Sequence, residues 1–198
     1  LAGERVSDSE IDDNDLLVLS VAMVGVVLYI ATVVVFSMWI HRVSANLKPL
    51  DVSDQRFTPA WAVGWWFIPI MWLWRPYQVV KEILKGSDPY YVGDRAGNWE
   101  QAPVWRWLGW WWGIWIISGM VGTAAFRGYW SAVTLEEIRE ANQTGYLADA
   151  TFIAVSVLAI FLVKVISDRQ EHKFRAAYAL NLSTAQQLGQ AGLQERSG

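Results

Sequence analysis

An all-α integral membrane fold is what the sequence predicts: a helical bundle with three transmembrane helices and one kinked helix that re-enters rather than crosses. Three observations carry this. Of 198 residues, 54% are hydrophobic and only 18% charged, against about 25% charged in ordinary globular chains, and the mean hydropathy is positive. Three apolar runs reach the length of about 20 residues that a bilayer core requires. The fourteen tryptophans concentrate in two stretches, as interfacial aromatics do in membrane proteins.

The elements follow in order. Residues 1–15 read as an acidic extracytoplasmic segment, with Glu4, Asp8, Glu10, Asp12, Asp13 and Asp15 against Arg5 alone. The chain opens on Leu1 with no basic n-region or cleavage motif, so no signal peptide is visible and an upstream portion is expected to be missing or processed. A membrane domain over 16–176 comes next. Its first span, 16–40, holds 25 residues without a charge. The β-branched run Val33-Val34-Val35 is a poor helix former in water. In lipid, only a helix satisfies its backbone groups within one segment.

The second span, 104–123, carries Trp105, Trp107, Trp110, Trp111, Trp112 and Trp115. Its Gly109 and Gly113 form a G-x-x-x-G, a spacing that lets another helix approach closely. The third span, 147–166, has small residues at Ala150 and Ala154 that make a second close-packing face. Between these two spans, Thr134 with Glu137 three residues on forms a capping box, which predicts a short surface helix. The 177–198 tail is polar and small-residue-rich and is expected to be mobile or frayed.

The kinked segment, 59–84, is the least ordinary part. Thr58 with Pro59 reads as a helix start. From Ala60 to Trp74 every residue is apolar, Gly or Pro. That is about 22 Å of helix, short of the ~30 Å core. Beyond Pro76, Tyr77, Val80 and Leu84 fall on one face while Gln78, Lys81, Glu82 and Lys85 lie away from it, the pattern of an amphipathic surface helix.

Charge distribution weighs the two topologies. If the segment crosses, the sixteen Lys and Arg divide 11 to 5. If it dips in and returns, Arg5, Arg127 and Arg139 lie on one side and the other 13 on the opposite side. The second split is cleaner. It places the C-terminus in the cytoplasm of a multi-pass protein of the bacterial cytoplasmic (inner) membrane. Pro69 and Pro76 lack the N–H groups that the carbonyls of Trp65 and Trp72 would receive in a helix. Those carbonyls then need other partners. Either the helix is kinked for packing, or a small polar pocket lies there with Arg75 beside it.

The stretches "FSMWIHRVSANL" (36–47), "FTPAWAVGWWFIPIMWLWRPYQVVKEIL" (57–84), "GSDP" (86–89) and "VSVLAIFLVKVISDRQEHK" (155–173) resemble a bacterial membrane family catalogued as domain of unknown function 4328. The resemblance covers roughly residues 12–175, with 57–84 its specific part. It implies one further membrane helix ahead of the acidic segment. Where the family tends to carry a small residue and Asn before "LWRP", this chain has Met71-Trp72, which removes any polar role of that Asn. The family has no established activity, so the resemblance implies topology and no chemistry.

Convergent titratable groups, the prerequisite for catalysis, are missing from the apolar segments, and no H-E-x-x-H, G-x-S-x-G or P-loop motif is present. No enzymatic activity is expected. With no cysteine, thiolate chemistry and Cys-type metal sites are excluded. With a net charge of −3 and no basic block, nucleic acid is excluded as a partner. No cofactor or metal of its own is expected. His41 and His172 are the only candidates for contact with a haem or a chlorophyll-type pigment, and the plainer reading is two interfacial histidines. The expected partners are the lipid bilayer and membrane protein subunits. The leading expectation is a non-enzymatic accessory or structural subunit packing against a larger complex, with Trp65, Pro69, Trp72, Arg75, Pro76, Gly109 and Gly113 as contact residues. The alternative is a small-solute or lipid binding or transport protein that uses the broken helix at 65–76. A surface enzyme using the 85–103 loop ranks last.

Overall fold

The computed structural model describes residues 8–197, and over that range the chain is all-α, with no strand. Five α-helices appear in order: α1 (Asp8–Ala45), α2 (Pro59–Gly64), α3 (Arg75–Gly86), α4 (Arg106–Ser131) and α5 (Leu135–Ser197), with short 3-10 turns between them. Part of the acidic segment, residues 1–7, lies outside the described residues.

Side-chain contacts set the directions. Trp39 Nε1 of α1 donates to Ser167 Oγ of α5, and Asn46 Nδ2, just past α1, donates to Gln170 Oε1. Both partners advance together, so α1 and α5 run parallel. On α4, Trp107 packs on Phe161 with ring centroids 5.3 Å apart, and Thr151 Oγ1 meets Ser118 Oγ at 3.4 Å. Here one partner rises as the other falls, so α4 and α5 form an antiparallel hairpin. It follows that α1 ends and α4 begins at the same end of the bundle. Residues 46–105, with α2 and α3, both leave from and return to that end.

The hydrophobic core sits at this end and is off-centre. Ile40, Val43 and Leu47 from α1 and its following turn meet Val79, Val80, Ile83 and Leu84 of α3, Leu108, Trp111 and Trp112 of α4, and Leu162 and Ile166 of α5. The apolar face expected to lie on a membrane surface in α3 is instead buried against protein: Val80 and Leu84 are 0% exposed. A one-sided helix buries its stripe wherever apolar partners are nearest, and here α1 and α5 supply them.

Three further expectations change. Two of the described helices, α1 and α5, are long and apolar enough to cross a membrane, rather than three. The segment 104–123 does form a helix, starting at Arg106. Its indoles, each with an N–H that needs a partner, and its glycines make it less apolar than a Leu/Val span. Next, the predicted short surface helix and the span 147–166 are one helix of 63 residues. The capping box does form, with Glu137 N–H donating to Thr134 Oγ1 at 3.2 Å and Thr134 N–H donating to Glu137 Oε2 at 3.0 Å. Nothing stops the helix afterwards, because Gly145 alone costs only about 1 kcal/mol. Finally, the tail from 177 is helical through Ser197 rather than frayed, a continuation of α5 uninterrupted by proline.

Candidate functional site

The stretch 57–75 forms an aromatic wedge driven into the bundle. Thr58 caps α2, its Oγ1 accepting the Trp61 N–H at 3.4 Å, with Pro59 in the first turn. Glu82 of α3 fixes the approach to that helix: its carboxylate accepts the Arg56 and Phe57 N–H groups at 3.1 and 3.2 Å. Burial pushes the Glu82 carboxyl above its ordinary range, and the two backbone N–H groups and the Arg56 charge offset part of that rise.

α2 stops after six residues and the chain turns. The turn pivots on Ile70, with φ 69° and ψ −48°, while Met71 N–H donates to the Pro69 carbonyl at 2.8 Å. This is a γ-turn of the rare, strained hand. Trp65 and Trp72 therefore do not share one helix face, as a continuous helix would have made them do. Pro76 sits in the first turn of α3, where a missing N–H costs nothing.

Trp66 is the tip of the wedge. Its ring meets Phe36 of α1 edge-on at 5.3 Å and Trp115 of α4 at 5.7 Å. Trp72 reaches the same Trp115 at 5.3 Å, and Trp115 stacks on Trp112 at 4.8 Å. Trp112 Nε1 donates to the Leu73 carbonyl at 2.9 Å, which locks the returning strand of the wedge to α4. Trp115 lies nine residues into α4, about 14 Å along its axis. The wedge thus reaches about 14 Å along the α4–α5 hairpin before the chain returns to the end it left.

Arg75 closes the base of the wedge. Its guanidinium lies 5.1 Å from the Trp65 ring centroid and 6.0 Å from that of Phe57, and donates to Gln78 Oε1 at 3.2 Å. Its Nε is buried without a partner, as are Nε1 of Trp65, Trp66 and Trp111. Unpaired buried donors are rare, and these four lie in and beside the wedge.

A polar knot beneath the core was missed at the level of sequence. Three α5 residues satisfy carbonyls at the ends of other helices. Arg169 donates to the Leu84 carbonyl at 3.1 Å and Lys173 to that of Gly86 at 2.8 Å. Gln170 donates to the Val43 carbonyl at 2.8 Å and to Ser87 Oγ at 3.1 Å. Two cations thereby cap the C-terminus of α3, where the helix dipole favours them. Arg169 also pairs with Asp88 at 3.4 Å and stacks on Trp105 at 4.3 Å. The stretches that meet here are "FSMWIHRVSANL", "GSDP" and "SDRQEHK", and no local spacing links them.

The remaining candidates stand apart. Gly109 and Gly113 lie on α4, and a Cβ added at either would touch nothing within 4 Å. Their G-x-x-x-G face is therefore unused inside the chain, whereas Gly128 packs on Ala141 at 3.6 Å. Ala150 and Ala154 are likewise exposed. His41 and His172 are exposed on α1 and α5, and among the described residues no three His, Asp or Glu side chains converge as a metal ion would need.

No curated protein and no solved structure matches the chain. A family model does, and it reaches from the acidic segment to the start of the polar knot. The matched residues, 2–168, are most of the sequence, and they include the whole wedge and its aromatic contacts. The chain belongs to the family described as domain of unknown function DUF4328.

Proposed function

We propose that the protein is a non-enzymatic integral membrane subunit that lends helix surface to a larger assembly in the bacterial cytoplasmic membrane. In this reading α1, α4 and the middle of α5 cross the bilayer as a bundle, the kinked segment 59–84 re-enters it, and the C-terminus is cytoplasmic. The observation that carries it is the state of α1. Every large apolar side chain from Leu16 to Ile30 is more than half exposed, between 56% at Ile30 and 65% at Val21. This helix is anchored to the core at one end only, and among the described residues nothing covers the rest. The unused Gly109–Gly113 face supports the same reading, because such faces permit close helix approach.

The test is purification from native membranes in mild detergent with mass spectrometry of what accompanies the chain. A stoichiometric membrane partner is expected. A double Gly109→Leu, Gly113→Leu variant, whose new side chains meet open space, should fold and lose that partner. Recovery of this chain alone, as a monomer, would sink the proposal.

A second reading is favoured by one observation, the unpaired donors of Trp65, Trp66 and Arg75. It makes the break at 65–76 a binding site for a small solute or lipid with acceptor oxygens. In that case Arg75→Ala or Pro69→Ala abolishes an uptake or lipid phenotype while assembly persists. Loss of assembly together with the phenotype would count against it.

A further inference from the structure

Beyond the polar knot, α5 carries a stripe of side chains at heptad spacing. Phe174, Tyr178, Asn181, Ala185 and Leu188 follow one another at steps of four, three, four and three residues, the period that keeps side chains on one helix face. Phe174 is 57% exposed, Tyr178 58% and Leu188 69%, and the first two rings stack at 6.4 Å. Asn181 and Ala185 are exposed as well. From Ala176 to Gln194 there is no charge, so no i,i+4 ion pair supports this stretch as it would a solvated helix. A helix of this kind owes its stability to the packing of one face. Glu171 lies one step further down the same stripe. There it lines a cleft with Phe174 from α5 and with Trp39 and Arg42 from α1. Among the described residues no acid pairs with Arg42.

We infer that this stripe is a dimer seam, and that its occupant is the same stripe of a second copy running parallel to it. The orientation rests on the membrane reading above, which puts the C-terminus of every copy on one side of the bilayer. Lipid does not reach the seam. Tyr178 to Leu188 lie about 18–33 Å past Ile166 along the helix. Even at a tilt of about 40°, the top of the usual range, that stands clear of the headgroups. The loop after α3 does not cover it either. That loop meets another face of α5, where a Cβ on Gly93 would lie 3.3 Å from Leu180 Cδ1. A second copy answers three features at once. In a parallel pair each seam residue meets its own counterpart, so the aromatic rings pack on rings and Leu188 on Leu188. The Asn181 amide both donates and accepts, so two of them pair across the seam, and one buried polar pair of this kind fixes register and oligomer state. Glu171 of the second copy is carried into the cleft that Arg42 lines, which gives that cation an acid partner. The Glu171–Arg175 pair within the helix, at 2.7 Å and exposed on both sides, is a surface contact of small worth and does not oppose the exchange. Two heptads are short for a coiled coil in free solution. Anchoring in one membrane aligns the copies and raises their effective concentration.

The chain has no cysteine, so a single thiol reports the seam. Ala185→Cys places one on the stripe. Ser183→Cys, two residues away, places it about 200° round the helix, and both sites are exposed. Each full-length variant is oxidised in native membranes and separated without reductant. Ala185→Cys is expected to give a band at twice the chain mass, and Ser183→Cys to give none. On the Ala185→Cys background, Arg42→Glu and Glu171→Arg are each expected to cut that band about threefold, and the two together to restore it. Arg42 and Glu171 are both exposed, so neither change touches the core. Equal bands for Ser183→Cys and Ala185→Cys overturn the inference, as does an Ala185→Cys adduct with a protein of another mass. A double reversal as weak as the single ones overturns the parallel register. A chain absent from the membrane fraction overturns the membrane reading and the seam with it. A membrane-bound chain with no Ala185→Cys dimer overturns the seam alone.

Discussion

Lys173 Nζ donates to the Gly86 carbonyl oxygen at 2.8 Å, and both residues are buried. One side chain on the longest helix therefore serves a backbone group at the end of α3. Replacing it with an apolar side chain of similar length leaves that carbonyl without a partner. Lys173→Met is expected to destabilise the fold by about 1–3 kcal/mol. Thermal unfolding in detergent reads the loss, and an unchanged midpoint would remove the knot from the list of stabilising features.

Ile70 holds a positive φ that a β-branched residue rarely adopts. Strain of this kind costs about 1–3 kcal/mol. Its side chain is 67% exposed, so little packing is lost on truncation. Ile70→Gly is expected to leave stability unchanged or raise it, in contrast with Ile83→Gly in the core. A large loss at Ile70→Gly, equal to that at Ile83→Gly, would mean the turn is not the strained hinge described.

The chain has no cysteine, which makes single-cysteine topology mapping direct. Ser53→Cys, Arg95→Cys and Ser131→Cys report the turn after α1, the loop after α3 and the far end of α4, all at exposed positions. Positions 53 and 95 are expected to react with an impermeant thiol reagent from the same side, and 131 from the other. A crossing wedge would instead pair 53 with 131 and isolate 95.

Glu82 keeps its proton in the folded state to a higher pH than its ordinary value of 4.5, because burial disfavours the charge. As pH rises from that value through the raised one, the unfolded chain releases a proton that the folded chain retains. Stability contributed by this group therefore falls over that window. Glu82→Gln does not titrate and should remove this downward slope. Unfolding measured from about pH 4 to 7 for both proteins checks it, and parallel curves would contradict the assignment.

Much of this was legible before any coordinates. Hydropathy located α1 and the centre of α5, since 25 uncharged residues leave few alternatives. The charge count anticipated that residues 46–105 start and finish at one end of the bundle. Thr58-Pro59 and Thr134–Glu137 announced their caps through local chemistry. What failed was non-local. The α3 stripe looked like a membrane-surface face, because a one-sided helix does not say which apolar body it meets. The polar knot joins residues more than eighty positions apart, so no spacing rule sees it. The carbonyls of Trp65 and Trp72 were placed on a common face on the premise of continuous helix, and the turn at Ile70 removes that premise. The merger of two expected helices into α5 was hidden by polar residues that look like a boundary but contain no stop signal.

At 63 residues, α5 is about 95 Å of unbroken helix, and its 31 residues beyond Ile166 have no parallel partner of equal length. Mechanically it is a lever with its fulcrum in the knot of Arg169, Gln170 and Lys173. A tilt of about 10° there sweeps the tip, some 40 Å away, through about 7 Å. A lean of the apolar arm, the longer of the two, is thus handed on to the polar end on a reduced scale.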